Sequence, residues 1–160
     1  MLTFTDYESH YFEEVFSLYK ENTQYFLLSG GQEATREDVH ADLNIRPEGV
    51  APWQHHYILI HFQEELVGVL VYVDDYPTVN TIYIGLLLLS PRIQGQGIGS
   101  FIMQQLKEEL APGHKFRLSV LAENTKALQF WQHHGFKMVD EKPFTLHAKT
   151  QQSFILEFQK

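Results

Sequence analysis

Leu86-Leu87-Leu88-Leu89-Ser90-Pro91-Arg92-Ile93-Gln94-Gly95-Gln96-Gly97-Ile98-Gly99-Ser100 is an apolar strand running into a loop with glycine at every second position. The loop opens a helix, whose first turn has unpaired N–H donors and a partial positive charge. Gly95, Gly97 and Gly99 remove side chains where those donors must approach a partner. Bare N–H groups at a helix start form a phosphate site. The first expectation is therefore a phosphorylated cofactor, held by Gln94, Gly95, Gln96, Gly97, Ile98, Gly99 and Ser100.

The flanking elements follow from spacing. Ile98, Phe101, Ile102, Leu106 and Leu110 recur at helical intervals, and Ala111-Pro112-Gly113 stops the helix. Thr81 to Leu89 is apolar on both faces and predicts a central strand, with Gly85 marking a bulge or a close backbone approach.

Among phosphate loops, a P-loop requires Gly-Lys-Ser/Thr, whereas this loop ends in Gly99-Ser100-Phe101. A dinucleotide fingerprint needs glycine where Ser100 stands and an N-terminal strand–loop–helix unit. Taken alone, the loop also allows a glycine-rich turn without ligand. Gln94-Gly95-Gln96-Gly97-Ile98-Gly99 fits Q/R-x-x-G-x-G/A and resembles the GNAT superfamily of acetyl-coenzyme A-dependent N-acyltransferases, in which this loop cradles the coenzyme pyrophosphate. A second stretch, Val120 to Phe136, resembles the later signature of that family through Asn124, Ala127, Phe130, Trp131, Gly135 and Phe136. Its local physics is coherent without the family. Asn124 is a good N-cap, Ala127, Leu128, Phe130 and Trp131 form a packing face, and Gly135 suits a left-handed helix end. The resemblance covers about residues 80 to 136 well and the first third loosely.

The bulk composition bounds the alternatives. A chain of 160 residues suits one domain, 1–160, with a real core. The absence of cysteine removes disulfides, cysteine–zinc sites and a cysteine nucleophile. A net charge of −8 argues against nucleic acid as partner. No apolar run reaches membrane-spanning length, and Met1 to Glu8 lacks a basic, signal-like start, so no membrane partner and a cytoplasmic location are expected. The adjacent pairs His55-His56 and His133-His134 cannot each turn both rings to one ion from a regular element, and no metal is expected.

Along the chain, the pattern predicts a strand at Leu2 to Phe4, helices near Phe12 to Tyr19 and Thr35 to Leu43, and strands at 55–62, 66–73 and 81–89. The glycine-loop helix follows, then a strand at 116–121, the Asn124 helix, and strands at 137–140 and 153–158 joined partly by a long loop. Gln24 to Leu28 reads as a lead-in to a flexible break at Ser29-Gly30-Gly31. The resulting order, βααβββαβαββ, describes an α/β (α+β) domain with a mixed sheet and helices on both faces, the order expected of a GNAT-like fold.

The resemblance implies more. The strands ending near Leu89 and Leu121 diverge, and the pantetheine arm of acetyl-CoA lies between them on the main chain of Leu87 and Leu89. A main-chain N–H there polarises the thioester, Asn124 contacts the arm, and Trp131 packs beside it. Many relatives carry a glutamate base on the central strand and a tyrosine acid on the late helix. Here Thr81 to Leu87 has no carboxylate and Trp131 holds the second position, leaving Asp74, Asp75 and Tyr83 as candidate bases. The acceptor is expected to be a small-molecule or peptide amine in a pocket lined by Tyr25, Phe26, Tyr76 and Tyr83 near a loop at Phe144. Two further alternatives stay open: a non-catalytic acyl-CoA sensor of the same fold, and a homodimer.

Overall fold

A computed structural model describes all 160 residues. Seven strands form one sheet in the order β1-β2-β3-β4-β5-β7-β6. They are β1 Leu2–Asp6, β2 His55–Phe62, β3 Glu65–Asp74, β4 Thr81–Leu89, β5 Lys115–Leu121, β6 Lys137–Leu146 and β7 Lys149–Gln159. All neighbours are antiparallel except β4 and β5. The helices are α1 Phe12–Glu21, α2 Thr23–Gly30, α3 Arg36–Asn44, α4 Ile98–Glu109 and α5 Thr125–His133.

Strand alternation sends successive side chains to opposite faces and so builds two cores. On one face Ile60, Leu70, Ile84 and Leu156 pack against Ile102 and Met103 of α4 and Trp131 of α5. On the other, Leu59, Val69, Leu86 and Leu88 pack against Val15, Leu18 and Tyr19 of α1 and Val39 of α3. Thr35 caps α3 reciprocally: its Oγ accepts the Asp38 N–H at 3.3 Å while Asp38 Oδ2 accepts the Thr35 N–H at 2.7 Å. No helix is long and apolar enough to cross a membrane.

The expected mixed α/β architecture is present, with one correction to the element order and one to the length of two strands. Thr23–Gly30 is a helix, making the order βαααβββαβαββ. Gly31, at φ 76°, ends it by donating to Leu27 O at 2.9 Å. Eight residues are too few to show a helical stripe, and much of the restraint on this helix is tertiary. Lys149 Nζ and Gln151 Nε2 donate to Leu28 O at 3.1 and 2.7 Å. The second correction concerns 141–152, which is no loop: β6 and β7 run on to a tight turn at His147-Ala148. Pro143 lies within β6, an edge strand, where a missing N–H on the outer side breaks no ladder.

Candidate active site: a cleft between parting strands

β4 and β5 pair only through four rungs, Thr81–Lys115 to Ile84–Leu118. Beyond Ile84, β4 continues to Leu89 without a partner on that side. The cause is visible in the register with β3, where Tyr72 opposes Ile84 and Val71 opposes Leu86, so that Gly85 is the extra residue of a bulge. A bulge bends its strand and shifts which residues face each way. Ser90 N–H donates to Val67 O of β3 at 2.7 Å, so by alternation the Leu87 and Leu89 peptide groups turn toward the gap. The gap widens into a cleft of about 820 Å³, lined by Leu87, Leu89, the glycine loop, Asn124 and Trp131, with Tyr25 and Leu28 of α2 along one wall.

The glycine loop stands at the cleft mouth. The backbone N–H groups of residues 95, 96, 97, 98, 99 and 100 donate to no other protein group; the first helical bond of α4 is Phe101 N–H to Gly97 O at 3.0 Å. Gly95 and Gly97 adopt φ of 81° and 80°, a region where other residues are strained. Gly99 serves packing instead, since a Cβ there would come within 3.2 Å of Leu89 Cδ1. The side chains brace the loop: Gln94 Nε2 donates to Leu89 O at 3.1 Å and Gln96 Nε2 to Arg92 O at 2.9 Å. Ser100 Oγ lies 3.1 Å from His134 Nε2. Six free donors at the head of a helix suit a diphosphate.

At the second signature, Asn124 Oδ1 accepts the Ala127 N–H at 3.2 Å and caps α5. Its amide nitrogen makes no protein hydrogen bond, and the residue borders the cleft. Trp131 is 8% exposed, edge-on to Phe130 and Phe136, so it offers the cleft a packing surface.

The three candidate bases are not brought together. Asp74 projects on the α4 side of the sheet, where its Oδ2 lies 2.8 Å from His56 Nε2 and it borders a separate hollow of about 180 Å³. Asp75 shapes the β3–β4 turn, its Oδ1 accepting the Asn80 N–H at 2.8 Å. Neither carboxylate reaches the cleft, and Tyr83 does not line it either. Tyr83 pairs with Arg117 one rung before the strands part, its ring edge-on to Tyr76 at 5.5 Å. Burial raises its phenol, Tyr76 adds to the rise and Arg117 opposes it. Of the other aromatic residues expected at the acceptor pocket, Tyr25 lines the cleft and Phe26 is core. Phe144 lies on edge strand β6.

Two groups were not singled out from the sequence, one on the cleft wall and one on the sheet below the point where β4 and β5 part. Glu21, at the end of α1, lines the wall and accepts from Arg92 Nε at 2.9 Å and Ser90 Oγ at 3.2 Å, tying α1 to the loop. Arg117 and Lys115 meet Glu157 on the face away from α4, at 2.8 and 3.1 Å from its Oε2. The alternation of Lys115-Phe116-Arg117-Leu118-Ser119 was the available signal: one polar face on a strand otherwise apolar.

Comparison with known proteins agrees with this geometry. The acetyltransferase (GNAT) family profile matches residues 12–136. An acetyltransferase structure from Thermus thermophilus superposes with a TM-score of 0.76 at 24% identity, covering 97% of this chain and 96% of that one. A Salmonella typhimurium acetyltransferase that modifies the N-terminal serine of ribosomal protein L7/L12 gives 0.75 at 17% identity, covering 99% and 95%. Spermidine N-acetyltransferase from Vibrio cholerae, in complex with CoA and spermine, gives 0.69 at 17% identity, covering 98% and 94%. No curated protein matches the chain.

Proposed function

The chain belongs to the acetyltransferase (GNAT) family and is an acyltransferase, and from that premise we propose that it moves an acetyl group from acetyl-CoA to the primary amine of a small molecule or peptide, in a ternary complex. One observation carries this assignment: the run of six unpaired N–H groups, 95 to 100, at the mouth of a cleft that ends where β4 and β5 join. Those donors suit the coenzyme diphosphate, and the Leu87 and Leu89 peptides suit the amide-bearing pantetheine arm as an added strand partner.

The chemistry asks little of side chains, because holding a neutral amine beside a thioester supplies much of the rate. The amine nitrogen attacks the carbonyl carbon, the carbon–sulfur bond breaks, and CoA leaves as thiolate. The Leu87 N–H assists by donating to the carbonyl oxygen as charge builds there. The Tyr83 hydroxyl is assigned to pass the ammonium proton to solvent. Trp131 has no acidic proton to give, and the thiolate, whose thiol has a pKa of ~8.5, takes its proton from water.

Thiol release from acetyl-CoA across a panel of amines tests the assignment. Turnover of at least one primary amine is expected. Tight coenzyme binding with no turnover of any amine would overturn it in favour of a non-catalytic acyl-CoA sensor.

A further inference from the structure

We propose that the acceptor of this enzyme carries a carboxylate beside its amine, and that Arg117 and Lys115 hold it. The inference rests on the acetyl-transfer assignment and adds its substrate class.

The coenzyme loop and the start of α5 occupy the α4 side of the sheet, so an acceptor reaches the joining point of β4 and β5 from the opposite face. Phe116, Leu118 and Val120 of β5 are committed to the α4 core, which leaves Lys115, Arg117 and Ser119 on that opposite face. Glu157 of β7 is directly across from Arg117, and Tyr83 of β4 is on its other side. The core built by α1, α2 and α3 takes its sheet residues from β2, β3 and β4 and includes none from β5 or β7.

The charges there do not balance. Glu157 Oε2 takes Arg117 Nη1 at 2.8 Å and Lys115 Nζ at 3.1 Å, so two cations share one anion. All three are half-buried, with side-chain exposures of 19%, 30% and 17% for Arg117, Lys115 and Glu157. An uncompensated, partly desolvated cation is costly, and here it stands in a chain of net charge −8. Arg117 uses only Nη1; its Nε and Nη2 donate to no protein group. That free edge is the fork that a second carboxylate takes. The same surplus of positive charge favours the neutral, nucleophilic form of an amine bound nearby and repels a polycationic acceptor.

The test compares free amino acids with the amino alcohols in which a CH₂OH replaces the carboxylate, and with a polyamine, by thiol release from acetyl-CoA. The acid is expected to exceed its alcohol in kcat/KM by about tenfold to a hundredfold, the worth of a charge-assisted contact. The paired variant Arg117→Gln with Glu157→Gln removes one charge of each sign and keeps hydrogen-bonding groups in place. It should bring the ratio toward unity through the KM of the acid, with the KM of acetyl-CoA unmoved. Lys115→Gln, on the more exposed rim, gives a smaller change in the same direction. An alcohol as good as its acid, a preferred polyamine, or a ratio untouched by both variants overturns the inference and leaves acetyl transfer standing. If no amine is turned over, calorimetry on the acetyl-CoA complex separates the two ideas. Binding of the acid over the alcohol upholds the carboxylate site without the reaction, and no binding of either ends both.

Discussion

Phe130 of α5 lies directly against Gly99 of α4: a Cβ built on that glycine would stand 3.3 Å from the ring's Cε1. The two sequence signatures therefore meet in space. The loop donors keep their aim because the head of α4 rests on the aromatic face of α5 and on Leu89. A position whose glycine is required by packing differs in its consequences from one whose glycine is required by backbone conformation.

Gly99→Val tests the packing. The added side chain must push α4 away from Leu89 and Phe130, at a cost of about 1–3 kcal/mol. Denaturation should report that loss, and calorimetry should find acetyl-CoA binding weakened about tenfold, or ~1.4 kcal/mol. A variant as stable and as tight as the parent would mean that the contact is not restraining the loop.

Gly97→Asp tests the charge at the loop. Nothing lies within 4 Å of a Cβ at this position, and φ is 80°. Aspartate is among the residues that visit this region, at about 1–2 kcal/mol. The melting temperature should fall by only about 2–8 °C. Coenzyme affinity should fall about a hundredfold or more, some 2.7 kcal/mol. Unchanged affinity would remove the diphosphate from the loop.

Tyr83→Phe tests proton transfer. Loss of the hydroxyl should lower kcat by about a hundredfold, at the low end of what acid–base groups contribute, and leave the KM for acetyl-CoA alone. Asp74→Asn should leave kcat unchanged, because that carboxylate faces His56 on the α4 side of the sheet, opposite the face on which Tyr83 stands. The reverse pattern in steady-state kinetics would transfer the role to Asp74.

Asp42 makes stability depend on pH. Burial raises its carboxyl from 3.8 to about 6, against the hydrogen bond it accepts from Tyr19 OH at 2.8 Å. Tyr19 OH in turn lies 2.8 Å from Tyr57 OH. The folded state thus binds this proton more tightly than the unfolded chain. The contribution of Asp42 is most favourable below about pH 4, falls as pH rises through about 6, and then levels off some 3 kcal/mol lower. Urea titrations at several pH values should show Asp42→Asn gaining on the parent across that window. A constant difference between the two proteins would contradict the raised carboxyl.

Local rules made much of this molecule legible in its sequence. The Gly85 bulge, the Asn124 cap and the left-handed Gly135 follow from side-chain size and backbone freedom at single positions. Helix α2 and the long β6–β7 hairpin did not. The first is anchored by Lys149 and Gln151 from far along the chain, and the second carries Pro143 on an edge that only the sheet order reveals. Asp74 and Asp75 were sensible candidates by proximity to the central strand, but the turn and the strand alternation aim both away from the cleft.

Periodicity, glycine spacing and one capping asparagine were sufficient, from sequence alone, for the strand–loop–helix unit and its unpaired N–H donors, because these depend on contacts within a few residues. The convergence of Tyr83, Arg117 and Glu157 was decided only by the tertiary structure. Which side of a sheet a residue occupies, and which strand lies beside it, depends on register and strand order, and those are fixed by burying two cores at once.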